Sequence, residues 1–516
     1  MSWKHYLLFG SLSLLILVPI ALLQTAPGYM DAEYYYAMAL RIARDKSLAE
    51  PFIWNYLNGF SSIPQPGFTF WMPLPSLLAA LSMAVTGLYS FAGAKIGFLA
   101  VFVFVPPLTM KIAYVLTGEE KAAKLAGLVS LFPVFYISFL GTTDSFGILM
   151  VLGAVFFLQI RKEDGLRKFL FLGLIAGLMH LTRADGILWF AAACIYILKR
   201  PENTVKAISL LVVGYLCIMA PWFVRNWLVI GEIMPPGSSK MFWLTEYNDL
   251  FTFKPEELTL VNWYGQGLGK ISRDLFGAFS TNLKTALIVQ GQIILVPLIG
   301  IGIKKTWKDW GVKSAAVIWG LIFFTMTLVF PFAGSRGGLF HSGAALQPVL
   351  WALAVVGLMD LITWGVNHRK WIRKQAEYVL GLGLAIFLAG MTLFVVQDRV
   401  IGEDISQPQW NQSYQENIKI GKELTQLGIN AESLIMINNP PGLYIATDRS
   451  AVAIPNGGIN TLIRSAEELG AGVLILEVNH PDALDYLYLE PQKENKLKYL
   501  QTVSDVHYFI FYTSKE

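Results

Sequence analysis

The sequence has little charge and almost no cysteine. Only 15% of its 516 residues are Asp, Glu, Lys or Arg, against 54% apolar, and the mean hydropathy is +0.51. A soluble chain of this length needs far more polar surface, so lipid is the solvent for most of it. The net charge is +4, and the basic residues are scattered between apolar runs, which excludes a nucleic-acid surface. Cys194 and Cys217 both fall in apolar stretches with no ligand spacing around them, so they read as membrane-buried thiols, not as a disulfide or a metal site. Also missing are a phosphate-binding P-loop, a dinucleotide fingerprint, an HExxH motif and a cysteine zinc pattern. Those absences argue against nucleotide-driven work. No fixed-period repeat or low-complexity tail is present.

Long apolar runs are what the sequence does have. A helix needs about twenty apolar residues to cross the hydrocarbon. About eleven candidates occur, near 6–24, 91–116, 120–140, 145–160, 168–182, 187–199, 206–227, 283–303, 313–332, 343–365 and 374–397. The first follows Lys4 and could imitate a signal peptide, but it is long for one and Pro27 adjoins the only small-residue cleavage point, so it reads as a retained helix. If these segments alternate across the membrane, five basic clusters fall on the side of Lys4. They are Lys121/Lys124, Arg161/Lys162/Arg167/Lys168, Lys199/Arg200, Lys304/Lys305/Lys308 and Arg369/Lys370/Arg373/Lys374. The positive-inside bias then puts the N-terminus in the cytoplasm. Residues 71–88 are apolar too, yet counting them as a crossing would turn every later cluster outward. With Pro73 and Pro75 at its start, this piece is expected to lie along the outer face.

That threading leaves residues 25–70, 228–282 and everything after about 398 outside. The last stretch is richer in charge, and SLIMI (433–437), AVAI (451–454), GVLILEV (472–478) and HYFIFY (507–512) read as buried strands, with a helix at 459–469. Strands alternating with helices suggest an extracytoplasmic α/β domain over 398–516, after a membrane module over 1–397.

Charged residues at or near membrane depth cost roughly 2.5–3.5 kcal/mol each, so they are the first place to look for chemistry. Here they gather on the outer side. Asp31 and Glu33 follow the first helix, Asp144 lies in the turn GTTDSFG, Arg183 and Asp185 in LTRADG, Arg225 in APWFVRN, and Arg336 with His341 in GSRGGLFHS. Each has a bland alternative. Asp31 and Glu33 could be ordinary helix-start acids, and Arg183 and Arg225 could be interface anchors. Arg336 and His341 are weaker candidates for a phosphate contact. Read together, carboxylates and arginines are the equipment for an anionic substrate, one kind as base and the other as cation. His180 reads as a packed histidine, and Trp222, Trp227 and Trp243 as interface aromatics.

The motifs of the first 240 residues, taken in order, resemble the GT-C membrane glycosyltransferases. They are the first-loop acid followed by tyrosines, FTFWMPLP, GTTDSFG, TRADG and APWFVRNWLVIGEIMPPG. The closer likeness is to the protein O-mannosyltransferase and aminoarabinose-transferase branch. The resemblance implies a polytopic helix bundle with juxtamembrane helices in the first outer loop, which suits residues 71–88. It implies transfer of a sugar from a polyprenyl-phosphate carrier to a protein, lipid or glycan acceptor at the outer face, with inversion, as in cell-envelope glycosylation. Asp31 would match the family's acceptor-activating acid and Asp144 its second outer acid. Glu33 stands one place late, since the family's Asp-Glu is here Asp31-Ala32-Glu33, and PQPG replaces the usual His-Pro-Pro. Arg183, Arg225, Arg336 and His341 remain physical candidates for the carrier phosphate. With one acid per outer loop the expectation is a reaction without a cofactor, a divalent cation being the alternative. Two rival readings stay open: a transporter or flippase of lipid-linked or anionic substrates, and an inactive relative that only binds lipid carriers.

Overall fold

The computed structural model describes residues 1–162, 165–199 and 203–512; Arg200, of the third basic cluster, lies outside them. The chain folds as two compact units. One comprises Met1–Thr25, Met72–Phe223 and Arg273–Trp410; the other comprises Ala26–Trp71, Val224–Ser272 and Asn411–Glu516.

The first unit is helical. Among the described residues six helices are long and apolar enough to cross a membrane: Trp3–Leu23, Phe91–Thr117, Thr204–Ile230, Trp310–Val329, Pro331–Arg369 and Arg373–Ile401. Two bent pairs raise the number to eight if each is one crossing. They are Glu120–Ser130 with Val134–Leu140, bent by 45°, and Leu268–Gln290 with Leu295–Thr306, bent by 86°. The chain is therefore a multi-pass membrane protein. The expectation of about eleven crossings also counted the short helices Phe146–Ile160, Arg167–Thr182 and Ile187–Leu198. At 1.5 Å per residue a helix of that length reaches only about 18–24 Å, so length alone does not make it a span. Leu74–Thr86, inside the problematic stretch, has 13 residues. That reaches about 20 Å, too short to cross unaided.

Close helix crossings are made by glycine. A Cβ on Gly302 would stand 2.0 Å from the Leu353 carbonyl oxygen, and one on Gly357 would stand 1.9 Å from that of Leu298. Two backbones thus touch where no side chain fits, the close packing that membrane helices use in place of a hydrophobic drive. The first helix is terminated by a lysine from another. Buried Lys95 donates to the carbonyl of Ala21 and, at 2.6 Å, to that of Gln24, satisfying oxygens that the helix end leaves over.

Several basic clusters are tied to one another. The Met1 amine lies 3.3 Å from Glu120, Lys121 bonds Glu377 at 2.8 Å, and Arg161 pairs with Asp309 at 2.6 Å while donating to the Val115 carbonyl at 3.1 Å. Lys305 reaches Asp360 at 2.8 Å, and Lys168 meets Tyr196 at 3.1 Å. These loops therefore share one end of the unit.

The second unit is built on a six-stranded sheet. Its strands are β2 (Phe52–Ile53), β4 (Leu434–Ile437), β5 (Ala451–Ala453), β6 (Ala471–Leu476), β7 (Leu497–Val503) and β8 (Val506–Phe511). Their spatial order is β2-β5-β4-β6-β8-β7, parallel as far as β6 and antiparallel after it. A two-stranded ribbon of β1 (Ala49–Glu50) and β3 (Gln65–Pro66) lies apart from it. Both faces of the sheet are covered. Leu474 and Leu476 pack with Leu462 and Ala466 on one side, and Val473 and Ile475 with Ile420 and Leu424 on the other, which is why β6 reads as a continuous apolar run. One edge strand, β2, comes from the loop after the first helix, some 400 residues away in sequence.

Candidate active site

The helix Met30–Leu40 opens the loop after the first helix and carries Asp31 and Glu33 in its first turn, where free N–H groups and the helix dipole favour acids. Residues two apart on a helix point to different sides. Asp31 is half-buried, whereas Glu33 has no exposed surface at all. The Asn439 side-chain amide donates to Glu33 Oε2 at 2.7 Å, and Glu33 Oε1 is buried with no hydrogen-bond partner among the described residues. Burial pushes the Glu33 carboxyl up to about 7, against the opposing pull of Asn439.

Behind this helix lies a second buried acid that sequence reasoning missed. Glu50 accepts from the Tyr34 hydroxyl, from the Phe68 amide at 2.9 Å and from Gln65 at 2.8 Å. Burial raises it to about 7, opposed by those hydrogen bonds and by the nearby charge of Arg225. Phe68 sits at φ 60°, a left-handed conformation that few non-glycine residues adopt, with its amide shared by Glu50 and Tyr34. Tyr34 packs on Trp71 at 4.4 Å between centroids, and Trp71 stacks on Trp54 at 4.2 Å. The aromatic run FTFW is thus the packing around Glu50. Nothing in the local sequence SLAEPF marks Glu50 as buried, since its partners Tyr34, Gln65 and Phe68 lie elsewhere in the loop.

Arg225 is half-buried near the end of Thr204–Ile230 and belongs to the second unit. It donates to Asn226 at 3.0 Å, and Asn226 in turn bonds the Ile233 carbonyl at 3.1 Å. Its charge bears on Glu50, so it is partly balanced.

In the first unit Asp144 occupies a buried turn, Thr142 to Ser145, ahead of Phe146–Ile160. Its Oδ1 accepts from the Ser145 amide and, at 2.9 Å, from the Ser145 hydroxyl. Its Oδ2 lies 3.2 Å from His341 Nε2, while His341 Nδ1 lies 3.0 Å from the Gly337 carbonyl. Both ring nitrogens therefore face acceptors. An imidazolium would satisfy both; a neutral ring protonated at Nδ1 would leave Nε2 a lone pair beside a carboxylate oxygen, a donor pair suited to a first-row divalent cation. The ring is fixed by stacking on Phe146 at 4.3 Å. Gly337, at φ 126°, makes the turn that brings His341 round. Arg336 beside it is exposed. Arg183 is half-buried and bonded to Asp185 at 2.9 Å, so part of its charge is already answered.

The structure thus groups Asp31, Glu33 and Arg225 in one unit and joins Asp144 to His341 in the other, where Arg183 and Arg336 also lie.

Residues 66–225 match the family model described as dolichyl-phosphate-mannose-protein mannosyltransferase. Several solved structures share the fold over nearly the whole chain. ArnT from Cupriavidus metallidurans bound to undecaprenyl phosphate is 13% identical with a TM-score of 0.55, over 98% of each chain. The Archaeoglobus fulgidus oligosaccharyltransferase in complex with Zn and sulfate is 12% identical with a TM-score of 0.56, over 98% of this chain and 73% of that one. This chain resembles the GT-C membrane glycosyltransferases. The archaeal oligosaccharyltransferase AglB, from A. fulgidus, solved with an inhibitory peptide and a dolichol-phosphate, matches at 11% identity and a TM-score of 0.52, over 94% of this chain and 70% of that one. At such identities the likeness is one of fold. No curated protein matches the chain in sequence. The GT-C likeness accounts for the bundle of apolar helices joined to a strand-containing C-terminal region.

Proposed function

We propose that the chain is a membrane glycosyltransferase that moves a sugar from a polyprenyl-phosphate carrier to an acceptor at the extracytoplasmic face, with inversion at the anomeric carbon. The observation that carries the reading is the fold shared with ArnT over 98% of each chain, a protein solved with undecaprenyl phosphate. The residues suit the chemistry. The acceptor hydroxyl attacks the anomeric carbon and gives its proton to the Asp31 carboxylate. The bond from that carbon to the phosphate oxygen breaks, and the polyprenyl phosphate leaves with the electron pair. A carboxylate base and cations for the departing phosphate are the needs of this step. Arg225 is the first candidate for the phosphate, followed by Arg183, Arg336 and His341. Asp144 orients the acceptor or, where a divalent cation takes part, holds it together with His341. The basic clusters face the cytoplasm and the α/β domain lies outside.

Turnover of a panel of radiolabelled polyprenyl-phosphate sugars tests this, with membrane lipids, peptides and glycans as acceptors, with and without chelator. Release of free polyprenyl phosphate that the Asp31→Asn variant abolishes supports the reading. Carrier binding without turnover of any donor, across all three acceptor classes, points instead to a transporter or an inactive carrier-binding relative. Loss of activity in the chelator lanes assigns the cation.

A further inference from the structure

Glu33 is fully buried, and among the described residues its one side-chain hydrogen bond is to a residue 406 positions away. Asn439 stands just before the helix Pro440–Thr447 and uses both ends of its amide. Its Oδ1 accepts from the Gly442 amide at 3.1 Å, capping that helix, while its Nδ2 donates to Glu33 Oε2 at 2.7 Å. Gly442 keeps the approach open, since a Cβ there would stand 3.0 Å from Glu33 Oε2 and 2.5 Å from Asn439 Nδ2. Two further contacts bind the same loop to the same domain. Strand β2 pairs with β5, Phe52 against Ala451, and the Phe52 ring lies 5.8 Å from that of Tyr444 in the capped helix.

We propose that Asn439 is a positioning residue for the reaction: through Glu33 it locks the first turn of the Met30–Leu40 helix, and with it Asp31, onto the C-terminal sheet. The catalytic part of this rests on the reading of Asp31 as the acceptor base; the mechanical part does not. The α/β domain thereby acquires a task, which is to hold the acid-bearing loop at a fixed register. The loop's displaced second acid becomes the handle by which it is held.

Asn439→Asp isolates the contact. An aspartate there still caps the Pro440–Thr447 helix, because its carboxylate accepts from Gly442, but it offers Glu33 an acceptor where a donor stood. Amide hydrogen exchange of the full chain in nanodiscs reads the effect without any substrate. Exchange of residues 33–40, read at about pH 9 so that Glu33 is ionised and cannot donate to the new carboxylate, should rise by about tenfold in Asn439→Asp, as loss of one buried hydrogen bond requires, while β4 to β8 keep their protection. Adding Glu33→Gln, whose amide can donate to the new carboxylate, should restore wild-type exchange. Where a donor is turned over, kcat should fall in the single variant and recover in the double, with donor KM unchanged. Unchanged exchange in Asn439→Asp overturns the proposal. So does a double variant with native strand protection and a still-loose helix. If no donor is turned over by the wild type, the reading of Asp31 fails separately and the exchange data decide the positioning alone.

Discussion

Asp31 and Glu33 are separated by one residue, yet they have opposite fates. Two positions along a helix amount to about 200° of rotation, so an acid that faces the core at Glu33 leaves Asp31 on the other side of the same turn. Asp31→Asn keeps the shape but removes the base, so kcat should drop by about two to four orders of magnitude with little change in melting temperature or donor binding. Asp144→Asn should leave the turn bonded to Ser145 and still weaken the hold on His341. A lowered kcat with a changed response to added divalent cation is expected, measured over a metal titration; His341→Gln should reproduce it. Had Asp144 only a folding role, both variants would melt early and keep wild-type turnover per folded molecule. That these acids lie in turns beside apolar helices was readable from hydropathy. The pairing of Asp144 with His341 was not, because 197 residues separate them and no local pattern records the contact. Equally hidden was the burial of Glu33, since a first-turn acid looks the same whether it faces water or a core. His180, which the sequence suggested was packed, is buried and bonded to Tyr215 at 2.6 Å.

At the scale of elements, the mostly buried strands of the C-terminal stretch were legible and the others were not. β4, β5, β6 and β8 appear in sequence as apolar runs, whereas β7, an edge strand, mixes polar and apolar residues without a period and carries no such mark. β2 has two residues and exists only because β5 is there to pair with it. Burying acids in this unit has a cost that depends on pH. Glu33, Glu50 and Glu477 are each pushed up from 4.5 to about 7 by burial. An acid whose folded value is raised contributes its full stability below about 4.5 and loses it as pH climbs through 7, because the unfolded chain gives up the proton first. For Glu33 the loss is roughly 3 kcal/mol at most. Glu33→Gln should therefore gain stability relative to wild type between pH 5 and 8, read as the difference in unfolding midpoints, which cancels every other titrating group. A difference that is flat with pH would mean that Glu33 is not held as described. In the membrane bundle, Gly357→Leu should separate Leu295–Thr306 from Gln347–Arg369 and cost about 1–3 kcal/mol or more, seen as a lowered melting temperature in detergent.

For the whole molecule the question is which way the chain faces. The basic clusters were assigned to one side from alternation of the apolar runs, an argument that a single miscounted helix would reverse. The ion pairs supply a separate one. Met1 to Glu120, Lys121 to Glu377, Arg161 to Asp309 and Lys305 to Asp360 join loops distant in sequence, so these loops lie together whatever the count of crossings. The short helices at 146–160 and 187–198 then cannot be dropped singly from the threading, for each lies between loops that must return to the same end. What remains is the sign, and we propose from the positive-inside bias that an end this rich in lysine and arginine faces the cytoplasm. Single cysteines placed in a background lacking Cys194 and Cys217 test this directly. Lys308→Cys should react with an impermeant maleimide only after the membrane is opened, whereas Gln492→Cys, in an exposed turn of the α/β unit, should react in intact cells. The reverse pattern would put Asp31's loop on the cytoplasmic side and remove a carrier-linked sugar at the outer face as the donor. Labelling of both from outside would mean that an odd number of crossings between Lys308 and Gln492 has been miscounted, among Trp310–Val329, Pro331–Arg369 and Arg373–Ile401.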